Sequence, residues 1–264
     1  MKITPKNPVE IEKMRKAGHV AALTLDYITP FVKAGVSTLE LNDKLEAFMR
    51  KNGGIPATIG YRGYPKASCI SVNQVVCHGI PSAEEVLAEG DILNIDVTAI
   101  VEGFHGDTSR MFGVGQVSPA AQTLMQVTYN AMMAGIATLK SGSFLHEIGT
   151  AIESVVAPHG YGIVREYCGH GLGRKFHEDP QVLHYANTDF SSTRLRAGTT
   201  LTVEPMINMG TWRTHLESDG WRVVTADNKL SAQYEHTVLV TEQGAELLTA
   251  SPAGYTCWPY TGQR

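Results

Sequence analysis

Asp96 and Glu204 each close an apolar run in two stretches that align with each other. The stretches are G-D-I-L-N-I-D-V at 90–97 and G-T-T-L-T-V-E-P at 198–205, an offset of 108 residues. A second carboxylate follows in each: Asp107 in G-F-H-G-D-T and Glu235 in S-A-Q-Y-E-H. His170, in C-G-H-G, lies between them. Acidic side chains inside apolar strands are costly unless a cation compensates them. Four carboxylates balance two divalent ions, and a neutral His170 serves as a fifth ligand. Oxygen-rich ligation with one imidazole suits Mn, Fe, Co or Zn alike. Two such ions roughly 3.5–4 Å apart can share a hydroxide and polarise a carbonyl, which is hydrolytic chemistry.

A hairpin can position the first pair. With Glu102-Gly103 as a two-residue turn, paired positions sum to 205, so Thr98 faces Asp107 and Asp96 faces Ser109. Side chains two apart on a strand share a face. The two aspartates then become diagonal neighbours about 7–8 Å apart at the backbone. Bare carboxylates that close would repel until one took up a proton.

The surrounding elements repeat as well. Asn7, Pro8 and Glu10 open a helix that Pro30 ends, and Ser37 with Glu40 opens a second that stops at Gly53-Gly54. Ser118-Pro119 opens a third helix running to about Leu139, and a fourth is expected from about Ser143 to Pro158. At an offset of 107, Lys33/Lys140, Gly35/Gly142, Glu40/Glu147, Glu46/Glu153 and Gly53/Gly160 are identical pairs. Two long units suggest pseudo-symmetric halves, roughly 7–115 and 116–250, within a single catalytic domain spanning 1–264; a solenoid needs three or more. Strands are expected around 67–72, 75–80, 91–101, 104–113, 163–169, 200–207, 221–226 and 233–241. The fold class is therefore α+β (mixed α/β), with helix pairs outside a curved sheet.

Composition is that of an ordinary globular protein: 43% hydrophobic, 18% charged and a net charge of −4. No basic face is implied, so nucleic acid is not the expected partner. No run reaches the ~18–20 apolar residues of a membrane span. The opening M-K-I-T-P-K-N-P lacks the apolar stretch of an export signal. The four cysteines show no C-x-x-C spacing and are read as reduced thiols of a cytoplasmic protein. Histidines 19, 146, 159, 184 and 215 have no supporting context, and His105 reads as polar filler in a strand.

Over roughly residues 5–248 the chain resembles the type I methionine aminopeptidases of the short bacterial class, within peptidase family M24. The resemblance rests on V-V-C-H-G ending at Gly79, N-I-D-V-T around Asp96, F-H-G-D-T-S around Asp107, E-Y-C-G-H-G-L-G-R-K-F-H-E through His170 and His177, E-P-M-I at Glu204, and S-A-Q-Y-E-H-T at Glu235. It implies the pita-bread fold, a pseudo-two-fold domain around a dinuclear metal centre. It also implies removal of N-terminal methionine from nascent proteins and peptides, with a small second residue, by a metal-bridged hydroxide. Asp96, Asp107, His170, Glu204 and Glu235 would hold two divalent ions. Glu204, His78 and His177 would act in catalysis, the two histidines also touching substrate. Tyr61, Tyr64, Cys69, Phe176 and Trp221 would line the methionine pocket. Asn73, Val75 and Ser231 match a monovalent-cation (Na or K) site of some relatives. The partners implied are the N-terminal methionine of nascent chains and the ribosome, for an enzyme acting as a monomer. Thr58 stands where many bacterial members carry cysteine. The tail S-P-A-G-Y-T-C-W-P-Y-T-G-Q-R matches no known pattern, and 187–194 reads as a surface loop.

Overall fold

The computed structural model describes residues 2–188 and 191–260, so part of the 187–194 loop and the last four residues of the tail lie outside it. Two helix pairs back a large antiparallel sheet. Helix α1 (Pro8–Ile28) begins at a reciprocal cap in which Asn7 Oδ1 accepts from Glu10 N at 3.0 Å and Glu10 Oε2 accepts from Asn7 N at 3.1 Å. Helix α2 (Thr38–Lys51) repeats the device with Ser37 and Glu40. Helix α3 (Pro119–Ala137) is capped by Ser118.

Helix α4 (His146–Val156) starts three residues later than the sequence predicts. Ser143 Oγ accepts from Lys140 N at 3.1 Å while its hydroxyl donates to Thr138 O at 2.7 Å, so its side chain serves the preceding turn and does not cap the helix. Glu147 Oε2 instead accepts from Phe144 N at 2.9 Å, as Glu40 does from Ser37 N in the other unit. Equivalent glycines make equivalent backbone bonds, with the 107–108 offset kept by all but the acceptor pair Val114 and Val240. Gly35 N donates to Leu87 O and Gly142 N to Leu195 O, while Gly90 N donates to Val114 O and Gly198 N to Val240 O, all at 2.8–2.9 Å.

The main sheet runs in the order Ile55–Pro56, Ile92–Val101, Phe104–Gly113, Glu235–Val240, Thr200–Val203, Gly169–Gly171, Glu178–Val182. Two further strands join it, Cys69–Val72 beside 92–101 and Ala245–Leu247 beside 235–240. The 92–113 hairpin has the expected register, Asp96 opposite Ser109 and Thr98 opposite Asp107. Its turn residues Glu102 (φ 50°) and Gly103 (φ 78°) both occupy the left-handed region that such a turn demands. Leu93, Ile95, Val97 and Ala99 face outward into the core under α1 and α2, which sends Asp96 and Thr98 to the opposite face. A second core lies under α3 and α4, where Leu201, Val203 and Val238 meet Leu124, Met132 and Ile152.

Several expected strands are shorter. The 200–207 run breaks into Thr200–Val203 and Met206–Asn208 at Glu204-Pro205, because proline cannot donate to a ladder. The 75–80 run ends at Cys77, where His78 turns to φ 59°. The 163–169 run becomes two pieces, Gly162–Ile163 and Gly169–Gly171, and the 233–241 run splits at Tyr234.

The described part of the C-terminal tail is packed. Ser251 Oγ and Ala253 N donate to Asp26, Trp258 packs against the core, and the Tyr260 hydroxyl donates to Met111 O at 2.6 Å. Asp26 also receives Arg110 Nη1 at 2.5 Å, a buried ion pair joining α1 to the hairpin.

Helix α1 comes close to the hairpin at Gly106 and to Leu248 at Gly18, with glycine at each contact. A Cβ on Gly106 would sit 2.3 Å from the Ala17 and Gly18 backbone, and one on Gly18 would sit 2.2 Å from Leu248 O. Backbone cannot swing aside as a side chain can. Gly106→Ala is expected to cost about 3 kcal/mol or more, at the upper end of overpacking penalties. Thermal unfolding should show a Tm lowered by about 6–12 °C at this chain length.

Candidate metal centre

Five side chains from five separate strands or their ends converge on the inner face of the sheet. Asp96 and Asp107 come from the hairpin, His170 from Gly169–Gly171, Glu204 from the proline-broken strand end and Glu235 from the strand next to Asp107. Ligand atoms of Asp107, His170 and Glu235 lie within 4.8 Å of one another. His170 Nε2 stands 3.7 Å from both Asp107 Oδ2 and Glu204 Oε1.

The carboxylates are oriented by neighbours rather than by one another. Thr98 Oγ1 donates to Asp107 Oδ1 at 2.7 Å and Thr202 Oγ1 to Glu204 Oε1 at 2.6 Å. Gln233 Nε2 donates to Glu204 Oε2 at 3.2 Å. The two threonines do not correspond in the repeat: Thr98 follows Asp96 by two residues, whereas Thr202 precedes Glu204 by two and aligns with Asn94.

Electrostatics test whether cations fit. Burial raises all four acids: Asp107 to about 7, Glu204 to about 8, and Asp96 and Glu235 well above the usual carboxylate range. Repulsion from Asp107 adds to the rise at Asp96, Glu204 and Glu235. Asp96 Oδ1 is buried with no hydrogen-bond partner, an orphan oxygen that a cation would satisfy. His170 Nδ1 lies 2.9 Å from Gly171 O; donation there leaves the Nε2 lone pair facing the acids. Burial lowers the His170 pKa to about 4, so the ring is neutral at physiological pH, as a ligand must be. The donor set fits divalent cations on each count.

Beside the acids lies a cavity of about 310 Å³. Tyr61, Tyr64, Cys69, His78, Phe176, His177 and Trp221 all line it, as do all five acid and histidine candidates. Tyr61 OH and His177 Nδ1 are 2.9 Å apart, and the Tyr61 ring packs 4.9 Å from Phe176. Tyr64, whose single hydroxyl hydrogen is shared between Gly79 O at 2.9 Å and Ser68 O at 3.0 Å, meets Trp221 edge-on at 5.1 Å. His78 sits edge-on to Trp221 and Tyr167, and burial lowers its pKa to about 4. Cys69 is the cross-strand partner of Asp96. Thr58 lines the rim, its hydroxyl donating to Lys66 O at 2.8 Å. Away from this cavity, Ser231 N donates to Asn73 O at 2.9 Å, which brings two of the three monovalent-cation candidates into contact. Val75 lies two residues further on, in the strand Val75–Cys77.

Sequence reasoning missed several participants. His184 is almost fully buried, and its Nε2 accepts from Glu204 N at 3.1 Å, fixing the backbone that carries the acid. Gln233 orients Glu204. His105 stacks on Phe176 and bonds to Gly173 O, which makes it a prop of the pocket wall. His184 falls in no recurring pattern; Gln233 could have been found as the residue two before Glu235, on the same strand run.

The metallopeptidase family M24 model matches residues 12–242. Methionine aminopeptidase A of Synechocystis sp. is 50% identical over 240 residues, 91% of this chain and 94% of that one. Methionine aminopeptidase of Escherichia coli strain K12 is 49% identical over 251 residues, 94% of each. The crystal structure of methionine aminopeptidase from Rickettsia prowazekii matches with a TM-score of 0.91 at 48% identity, covering 94% of this chain and 100% of that one. Paired helices over a curved antiparallel sheet, with buried acids on its inner face, define a metal-dependent hydrolase of the pita-bread fold. The chain belongs to metallopeptidase family M24.

Proposed function

We propose that this enzyme removes the N-terminal methionine from nascent proteins and peptides, with preference for a small second residue. One observation supports the reading: Asp96, Asp107, His170, Glu204 and Glu235 line one end of an aromatic-lined cavity of about 310 Å³. A thioether gains favourable contacts with such rings. Asp96, Asp107, His170, Glu204 and Glu235 would hold two divalent ions, drawn from Co, Mn, Fe and Zn. Once bound, those ions supply Lewis acidity and a nucleophile at neutral pH.

The protein's own groups divide the remaining work. Tyr61, Tyr64, Cys69, Phe176 and Trp221 enclose the methionine side chain and exclude water. With the Tyr61 hydroxyl donating to His177 Nδ1, the proton sits on Nε2, which donates to the substrate carbonyl oxygen. His78, kept neutral by burial, donates to the same region and stabilises the oxyanion. Glu204, with each oxygen already held by a donor, passes a proton to the leaving amine. Asn73, Val75 and Ser231 would supply oxygens to Na or K. The two repeat units, roughly 7–115 and 116–250, build the centre between them. No described helix is long and apolar enough to cross a membrane. We place the enzyme in the cytoplasm, as a monomer acting on chains leaving the ribosome.

Peptides beginning Met-Ala and Xaa-Pro test this, before and after exhaustive chelation and with Mn or Co added back. The expected result is release of methionine from Met-Ala only, lost on chelation and restored by the metal. Activity that survives chelation would overturn the metal-hydrolase reading, and cleavage of Xaa-Pro alone would overturn the substrate.

A further inference from the structure

The methionine cavity has an outer neighbour. A groove of about 790 Å³ runs along the protein surface and shares Arg62, Cys168, His170 and His177 with the cavity that holds the acids. That volume lies within the range of pockets that enclose drug-sized molecules, so the groove admits a short stretch of extended chain. The four shared residues make the groove continuous with the inner cavity, which gives a substrate whose first residue fills that cavity a path along the surface.

The groove is basic in a protein that is acidic. Five cationic side chains line it against three carboxylates, while the whole chain carries −4. Internal pairing removes part of this charge: Lys6 binds Glu178 at 2.7 Å, and Arg174 meets Glu10 at 3.4 Å. Asp179 Oδ2 accepts from the Lys2 backbone N–H. Lys2, Arg62 and Lys175 have no ion pair within 4 Å among the described residues, and all three are exposed.

Arg62 is set apart by its backbone. It adopts φ 49°, ψ 28°, a left-handed conformation uncommon for a residue with a long side chain. Its guanidinium lies over the Tyr61 ring at 5.4 Å, at the lip common to both cavities. Tyr61 in turn contacts His177. A strained residue at a junction between two cavities is where function is to be sought.

Resting on the methionine-removal reading, we propose that this groove receives the substrate residues downstream of the scissile bond, and that Arg62 and Lys175 select acidic side chains there. The two cations act over several ångströms through water-exposed space, so the selection operates on binding and is screened by salt.

The test compares three peptides with a fixed second residue: Met-Ala-Asp-Asp-Ser, Met-Ala-Ser-Ser-Ser and Met-Ala-Lys-Lys-Ser. At low ionic strength the metal-loaded enzyme should favour the acidic over the basic peptide by about 10-fold in kcat/KM, as expected of two exposed charge contacts. The difference should lie in KM rather than kcat, and should shrink to about 2-fold near 0.5 M salt. In the double variant R62E/K175E the order should reverse. Equal rates for the acidic and basic peptides in the wild type, or a preference indifferent to salt, would overturn the proposal even if the variant failed to fold. No release of methionine from Met-Ala-Ser-Ser-Ser would overturn the methionine-removal reading, and this one with it.

Discussion

Asp107→Asn should lower kcat/KM by about 10³-fold or more while making the metal-free protein more stable. Replacing groups that merely orient a metal's ligands costs about 10–100-fold, and a ligand itself should exceed that. The amide keeps the shape and can still accept from Thr98 Oγ1, so the fold has no reason to fail. It removes the charge that raises the pKa of Asp96, Glu204 and Glu235. Three buried acids repel less than four, so after chelation the variant should melt above the wild type at pH 8. Metal analysis of the purified variant should show less bound metal than in the wild type. Full activity in this variant, or an unchanged metal content, would remove Asp107 from the centre. The opposed signs matter, since a substitution that simply damaged packing would lower both activity and melting temperature.

The second large effect is a pH-dependent response to metal. Without cations, burial lifts Asp107 from 3.8 to about 7 and Glu204 from 4.5 to about 8. An acid whose pKa is raised by folding favours the folded state below its unfolded pKa, and that contribution is lost as pH climbs through the folded value. The metal-free protein should therefore lose stability between about pH 4 and about pH 8. Divalent cations remove the repulsion and bind better once the acids are ionised. The Tm gained on adding saturating Mn should be larger at pH 8 than at pH 5.5. A net difference of ~2 kcal/mol would already move Tm by about 5 °C at this chain length. Differential scanning fluorimetry with and without metal across this range gives the answer. A gain independent of pH would mean that the four acids are not the groups the metal compensates.

The parts of the centre legible in the sequence were those fixed locally. The 92–113 hairpin could be registered because a two-residue turn leaves one pairing, and that pairing puts Asp96 and Asp107 on one face. Glu204 could be matched to Asp96 because each closes the same kind of apolar run at the same distance from a glycine with positive φ, Gly90 or Gly198, although the strand carrying Asp96 continues to Val101. Glu235 was harder. Beside His236 in an alternating run it reads, taken alone, as a surface residue on an edge strand, and its pairing between Ser109 and Val203's strand is what buries it. His184 was invisible because its hydrogen bond to Glu204 crosses 20 residues with no periodic signal. The strand Glu178–Val182 was missed because glutamate, aspartate and proline in succession oppose strand formation, and neighbouring Gly169–Gly171 supplies the pairing. The tail carries no repeat and no motif, yet Trp258 and Tyr260 find their partners in Gly113 and Met111, which only the folded hairpin presents.

The spread of the five candidate ligands along the chain also sets the order in which the proposed centre can come into being. Asp96 and Asp107 meet through a turn of two residues, a contact that forms as soon as residues 92–113 are available. His170 and Glu204 arrive later, and Glu235 lies 128 positions beyond Asp107. During synthesis from the N-terminus, the hairpin therefore waits with two uncompensated aspartates while more than half of the chain's remaining length is made. The last candidate ligand, Glu235, joins the others only when the strand Glu235–Val240 slots between Phe104–Gly113 and Thr200–Val203. Insertion of that central strand is thus the event that joins the two halves of the sheet and completes the proposed five-residue set, so a chain that ends before Glu235 lacks it.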